Sequence, residues 1–303
     1  YIEGEDVLWA SRDLLAVSAA VLRRSEVRSM EAAMALLDQA VGEFEKARDQ
    51  KITFKRTSDA AGTWDINEQA LVETADALQA AGGRVYGYIV DVSSADEIEA
   101  TAAIVREEIG EIDILFNNAG IVRGNSYFWE LDDVSQIQLT MAINSIAPML
   151  VAREFLPGMI AKTGECRIVN IASSAGLVSN PRMSVYAASK WAAIGWSDSI
   201  RLELEQAGHD HIRVTTVCPT YINTGMFDGA KKMLMTPMLE QEVVVDATWK
   251  EMLRGGPFLL IPWTAKLNKV LSGILPVGIR DFVLDKAGVY HSMEEFEGHD
   301  DLK

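Results

Sequence analysis

Arg167-Ile-Val-Asn-Ile-Ala-Ser-Ser-Ala-Gly176, followed closely by Tyr186-Ala-Ala-Ser-Lys190, is the stretch that decides the fold. An apolar run of strand length ends in small polar residues, and a pattern of helical length begins soon after it. The same alternation recurs on both sides. Arg84 to Val90, Ile112 to Phe116 and Ile212 to Cys218 read as further strands, with helices over Glu68 to Ala81, Ser94 to Ile109, Val134 to Ala161 and Ser184 to Ala207. Strand then helix, repeated, requires right-handed crossovers and a parallel sheet covered on both faces. The expected class is therefore α/β with a doubly wound parallel sheet, whose ligands sit beyond the C-terminal ends of the strands.

Outside this core the texture changes. Residues 1–50 read as a helical appendage, with Leu8, Val21 and Leu22 on one stripe and Met30, Met34, Leu37, Val41 and Phe44 on a second. Residues 51–262 form the expected core, and 263–303 a helical extension packed on it. A chain of 303 residues can bury one large core. Its 28 Lys and Arg against 44 Asp and Glu give a formal charge of -16, which repels phosphate backbones, so nucleic-acid binding is not expected. Two cysteines, Cys166 and Cys218, sit inside apolar runs; neither a disulfide framework nor a metal site follows. The four histidines lack ligand spacing as well. No apolar stretch reaches the 18 or so uncharged residues of a membrane span. A cytoplasmic location, with membrane association at most peripheral, is the expectation.

Tyr186 and Lys190 are four apart near the start of a helical pattern, so phenol and ammonium share a helix face. A phenol with an ordinary pKa near 10 is a poor acid/base group at neutral pH, but an adjacent cation favours its phenolate. Ser173, at a strand end, offers a hydroxyl to a substrate oxygen. Ile112-Asp-Ile-Leu-Phe-Asn-Asn-Ala-Gly120 is another strand ending in amides and a glycine, and Asn144 lies in the helical segment that follows. Singly, each of these residues has a structural role open to it: helix caps for the strand-end residues, a satisfied core amide for Asn144.

Together, in this order and spacing, the segments from about Asp65 to about Phe227 resemble the short-chain dehydrogenase/reductase family, whose fold is Rossmann-like. The resemblance implies that Tyr186 is the general acid/base and that Lys190 lowers its pKa and binds the nicotinamide ribose. It implies that Ser173 orients the substrate oxygen and that Asn144 anchors a proton-relaying water. Asn118, Ile222 and Thr224 would line the cofactor site, with Asp91 and Val92 beside the adenine. Asp65, in Thr63-Trp-Asp-Ile-Asn67, matches the acidic residue that bonds the adenosine ribose and repels a 2'-phosphate, implying NAD rather than NADP. A looser likeness, in Trp64-Asp-Ile-Asn67 and Thr224-Gly-Met-Phe227, is to the branch of retinol and 17β-hydroxysteroid dehydrogenases. It implies hydride transfer with a lipophilic alcohol or carbonyl compound. The family also implies a homodimer or homotetramer. A serine hydrolase is disfavoured, because Ser173 has no Gly-x-Ser-x-Gly elbow and no suitably placed histidine.

One family element is missing. Nothing before Asp65 reads as a Gly-rich phosphate turn, since Gly4, Gly42 and Gly62 stand alone. Lys51-Ile-Thr-Phe-Lys55 has the texture of a first strand, yet only about eight residues follow before Thr63, fewer than the dozen a parallel crossover needs. Either a segment belongs between about Phe54 and Thr63 that this sequence lacks, or the protein has no such turn and is a non-catalytic scaffold or binding protein. At the other end, residues 250–286 hold six Lys and Arg against three Asp and Glu, among many large apolar groups. This segment reads as a lid, as helices packed on the core, or as a basic amphipathic surface for lipid.

Overall fold

The computed structural model describes residues 60–80 and 84–296, apart from 225, 228, 232, 234 and 235. The expected helical appendage over 1–50 and the candidate strand Lys51–Lys55 lie outside the described residues.

Among them the chain alternates as its pattern predicts. β1 (Ala60–Asp65), α1 (Glu68–Ala80), β2 (Arg84–Ile89) and α2 (Ala95–Glu108) come first. β3 (Ile114–Asn117), α3 (Val134–Met141), α4 (Ala147–Ala161) and β4 (Cys166–Ile171) follow. Then come α5 (Ser184–Gln206), β5 (Ile212–Pro219), α6 (Gln241–Arg254), β6 (Phe258–Ile261), α7 (Trp263–Ile274) and α8 (Val277–Lys286). Every strand pairing is parallel.

Burial on both faces explains the continuous apolar runs. Along β4, Ile168 points into a cluster with Ala102 and Val105 of α2 and Phe155 and Met159 of α4. Its neighbour Val169 points the other way, against Val217, Trp249 and Met252 of α6. Successive strand side chains face opposite sides, so a strand sandwiched by helices needs apolar groups at both parities. The polar interruptions are paired. Asn117 Nδ2 donates to Asn170 Oδ1 (2.8 Å), Asn170 Nδ2 donates to Ser197 Oγ (2.8 Å), and Ser197 shares a proton with Thr216 Oγ1 at 2.7 Å. This buried chain ties β3, β4 and β5 to α5, and each member left alone would cost about 1–3 kcal/mol.

Two features differ from expectation. The sheet is divided among the described residues into a pair, β1-β2, and a four-stranded sheet, β3-β4-β5-β6. β1 and β3 each keep one edge that no described strand pairs, and β1 is held to the larger sheet's helices by side chains. Trp64 packs with its ring 6.0 Å from that of Phe155. The physical reason is in the sequence: the stretch between Lys55 and Thr63 is too short for the crossover helix that a strand filling the interval would need. Second, the long helical segment Val134 to Ala161 is interrupted by a π turn, Ala142–Ile146, which is read from backbone pairing and leaves no composition signal. Contrary to the expectation that no stretch reaches the length of a span, the run is apolar and long enough to cross a membrane by length and composition. Its centre, however, holds the buried Asn144 and Ser145, which hydrogen-bond to α5.

Candidate active site

The C-terminal ends of β3, β4 and β5 and the first turns of α5 converge on one cleft. Ser173 follows β4, and the turn after it runs close against α5 because Gly176 permits the approach. A Cβ there would lie 2.7 Å from the Lys190 main-chain oxygen and 2.5 Å from Ile194. Tyr186 and Lys190, in the first two turns of α5, are each 4 % exposed. Tyr186 is packed by Met183, Phe227 and Met293. Lys190 Nζ donates to the main-chain oxygen of Ile171 at 3.1 Å and lies 5.8 Å from the centre of the Tyr186 ring.

The expected effect of the ammonium on the phenol does not appear in this arrangement. Burial pushes Tyr186 up to about 12, and a hydrogen bond from Ser173 opposes it without prevailing. Burial also pushes Lys190 down to about 8. The reason is geometric. The ammonium is satisfied by the Ile171 carbonyl, while both groups lose water, and desolvation disfavours phenolate and ammonium alike.

Asn144 sits in the π turn, the kind of helical interruption that recurs at functional sites. Its Oδ1 accepts from Ile121 N (2.8 Å), and its Nδ2 donates to Ile121 O (2.9 Å) and to Ser189 Oγ (3.0 Å). The amide thereby clamps the loop after β3 onto α5. Gly120 lies beside it: a Cβ at that position would be 3.3 Å from Lys190 Nζ and 3.4 Å from Asn144 Oδ1. Gly120, Asn144 and Lys190 thus meet at one point.

The remaining predicted residues stand at strand ends. Asp65 closes β1, and its Oδ1 accepts from Asn67 N at 2.9 Å. Asp91 and Val92 follow β2; Asp91 accepts from Ser93 N at 2.8 Å, and Val92 packs on the core. Asn118 follows β3 and is partly exposed. Ile222 and Thr224 follow β5, where Ile222 bridges to Leu239. Asp65, Asp91 and Val92 belong to the two-stranded sheet, whereas Ser173, Tyr186 and Lys190 belong with the four-stranded one.

Several cleft residues were not foreseen. Thr220 Oγ1 and Thr264 Oγ1 line it, buried and without a hydrogen-bond partner. Tyr221 lines it too; its hydroxyl lies 2.8 Å from Ser292 Oγ, which is 3.0 Å from the Asn180 amide. That network draws the C-terminal segment onto the cleft from 112 positions away in sequence, a closeness no local motif announces. Thr220 had a signal in the phrase Cys218-Pro-Thr220, where many family members have glycine after the proline, though that phrase pointed to the branch and not to a place in the cleft. Leu177, Val178, Met183 and Leu260 form the cleft's apolar wall.

Comparison with known proteins agrees with this geometry. The family model described as short chain dehydrogenase matches residues 56–234. Epidermal retinol dehydrogenase 2 of Mus musculus is 34% identical over 250 residues, covering 82% of this chain and 80% of the relative. Estradiol 17-beta-dehydrogenase 11 of Homo sapiens is 35% identical over 213 residues, 70% of each chain. Among solved structures, a short chain dehydrogenase/reductase from Burkholderia phymatum in complex with NAD superposes with a TM-score of 0.62 at 26% identity. The match covers 70% of this chain and 85% of that one. With the family model spanning well over half of its length, this chain belongs to the short-chain dehydrogenase family.

Proposed function

We propose that this protein interconverts a lipophilic alcohol and its carbonyl compound with NAD, Tyr186 exchanging the proton of the substrate oxygen. The observation that carries the reading is the burial of Tyr186, Ser173 and Lys190 together beside an apolar cleft at the C-terminal end of β4. NAD supplies the redox chemistry when bound. The relatives' names favour a retinoid or steroid alcohol.

The residues fit the two ends of the dinucleotide better than its middle. Gly120 leaves open the space in front of Lys190 and Asn144 that a side chain would crowd, and Thr220 Oγ1 offers an unmatched hydroxyl to the cleft lined by Ser173 and Tyr186. Lys190 would hold the nicotinamide ribose, with Asn118, Ile222 and Thr224 around it. Asp65, Asp91 and Val92 would hold the adenosine, Asp65 favouring NAD over NADP. For the pyrophosphate, no glycine-rich turn precedes Asp65.

The chain's own chemistry is proton transfer and alignment. With its hydroxyl pushed up to about 12, Tyr186 is protonated at neutral pH, so the proton for a carbonyl oxygen is in place, and exchanging it requires that value to come down toward neutrality when the site is filled. Ser173 donates a second hydrogen bond that orients that oxygen. Asn144 holds the Ile121 loop in place beneath the site and would anchor the relay water near Lys190. The neighbouring face of α5, with the helix before it, would pair two subunits.

A second reading rests on the divided sheet. Among the described residues no strand lies between β1 and β3; if none fills that interval, the chain would be a non-catalytic binding protein built on this fold. Titration with NADH separates the two. A saturable fluorescence change, followed by NAD reduction with retinol, a steroid alcohol or a long-chain alcohol, supports the enzyme; no change at any concentration supports the binding protein.

A further inference from the structure

Helix α7 is turned inside out. Trp263, Leu267, Val270 and Ile274 recur at spacings of four, three and four, so they share one stripe, and all four are exposed, Ile274 at 74 % and Trp263 at 63 %. The opposite side, with Thr264, Ala265 and Asn268, faces the cleft. A helix on a water-facing surface normally buries its apolar stripe and exposes its polar one. α8 repeats the inversion. Ile279, Phe282 and Val283, again on one face, are exposed, Phe282 at 63 %. Lys266, Lys269 and Lys286 are exposed beside these stripes. Lys269 lies over the Phe258 ring at 4.1 Å and Lys286 over that of Phe282 at 5.8 Å.

We propose that α7 and α8 form a docking face whose occupant is a lipid bilayer surface carrying anionic headgroups. Apolar side chains of this size standing out beside lysines match the two layers of such a surface, acyl chains below and phosphate or carboxylate groups above. A second copy of the chain fits less well. The nearby acids are already engaged, Asp281 by Arg280 and Tyr290 and Asp285 by His291 and Lys286, so a two-fold contact would set Lys266 and Lys269 against their own copies. The overall charge of -16 would hold most of the molecule away from such a membrane and leave this face to meet it. Because the inner side of α7 lines the cleft, docking sets the cleft mouth against the lipid. That consequence, though not the docking, rests on the lipophilic-substrate reading above.

The chain's only cysteines, Cys166 and Cys218, are buried, so a single added thiol can be labelled selectively. Ile274→Cys and Val270→Cys, each carrying an environment-sensitive fluorophore, are mixed with phosphatidylcholine vesicles with and without phosphatidylserine. Asp96→Cys, exposed on α2, is the control. The expected result is a several-fold rise in emission at 270 and 274 with phosphatidylserine vesicles, reduced at high salt and absent at 96. Unchanged emission at both sites would overturn the proposal, as would a rise that needs protein concentration but no vesicles and tracks dimerisation by sedimentation velocity. NADH titration of the labelled proteins reports the functional reading separately, since neither residue lines the cleft.

Discussion

Lys190 donates from Nζ to the main-chain oxygen of Ile171, and Ile171 stands two residues before Ser173, so the buried cation is fixed to the strand that presents the hydroxyl. The ammonium is thereby aligned with the cleft floor and not with the phenol one turn earlier on its own helix. That geometry places a cation, 4 % exposed, in the protein interior with a neutral carbonyl as its hydrogen-bond partner. Its energetic consequences are measurable.

Because burial holds Lys190 at about 8 when folded, against about 10.5 when unfolded, the unfolded chain binds more protons between those values. Stability contributed by this group therefore rises with pH across about 8 to 10.5. Lys190→Met removes the penalty and also one hydrogen bond. At pH 7 the variant should be more stable than the parent by roughly 2 kcal/mol, the shift discounted for the lost bond. The advantage should shrink as pH climbs past 8. Thermal unfolding of both proteins from pH 6.5 to 10 checks this, and parallel profiles would remove the assigned burial penalty.

Tyr186→Phe deletes a hydroxyl and leaves the ring that packs on Met183, Phe227 and Met293. Folding should be little affected. Turnover should fall by two or more orders of magnitude, the scale of a lost general acid/base, while NADH affinity stays within a few-fold. Substantial retained turnover would exclude Tyr186 from proton transfer.

Asn144→Ala strands the partly buried main-chain groups of Ile121 and removes the donor to the buried Ser189 Oγ, which keeps its own bond to the Tyr186 carbonyl. Losing paired partners in such a place costs about 2–4 kcal/mol. The loop after β3 should loosen in the same variant, seen as faster amide exchange around Ile121. Unaltered stability and exchange would show that the π turn alone fixes the loop.

The fold was legible where a single physical rule governs the residues. β4 and β5 are buried on both faces and so carry mainly apolar runs with paired polar interruptions, and their predicted bounds agree with the observed ones to within a residue. The pairing of Tyr186 with Lys190 on one side of α5 followed from helical spacing. What spacing could not give was the direction of the Lys190 side chain, because the Ile171 carbonyl that captures it belongs to another element. The π turn at Asn144 was hidden for a similar reason, since backbone hydrogen-bond register leaves no trace in side-chain periodicity. The Tyr221, Ser292 and Asn180 network joins three distant segments through polar atoms that would be ordinary surface groups if read singly. The orientation of α7 was left open by the sequence, which allowed a lid, packed helices or an outward lipid-facing surface, and here the apolar stripe faces outward.

The division of the sheet leads to a final expectation. β1 and β3 run in the same sense as their neighbours, and each has one edge without a strand among the described residues. Unpaired buried-edge groups are costly, and a parallel strand with its crossover helix needs roughly 30 residues. No such unit fits between Phe54 and Thr63. The natural gene product should therefore carry additional residues in that interval, including glycines able to bring main-chain amides to a pyrophosphate. Peptide mapping of the endogenous protein checks this, with fragments crossing the interval expected to be about 3 kDa heavier than the sequence Lys51 to Trp64 allows, at the usual mass of a 30-residue unit. A fragment running from Lys51 to Trp64 without interruption would remove the expectation. It would also favour the non-catalytic reading, since the dinucleotide would then lack its central support.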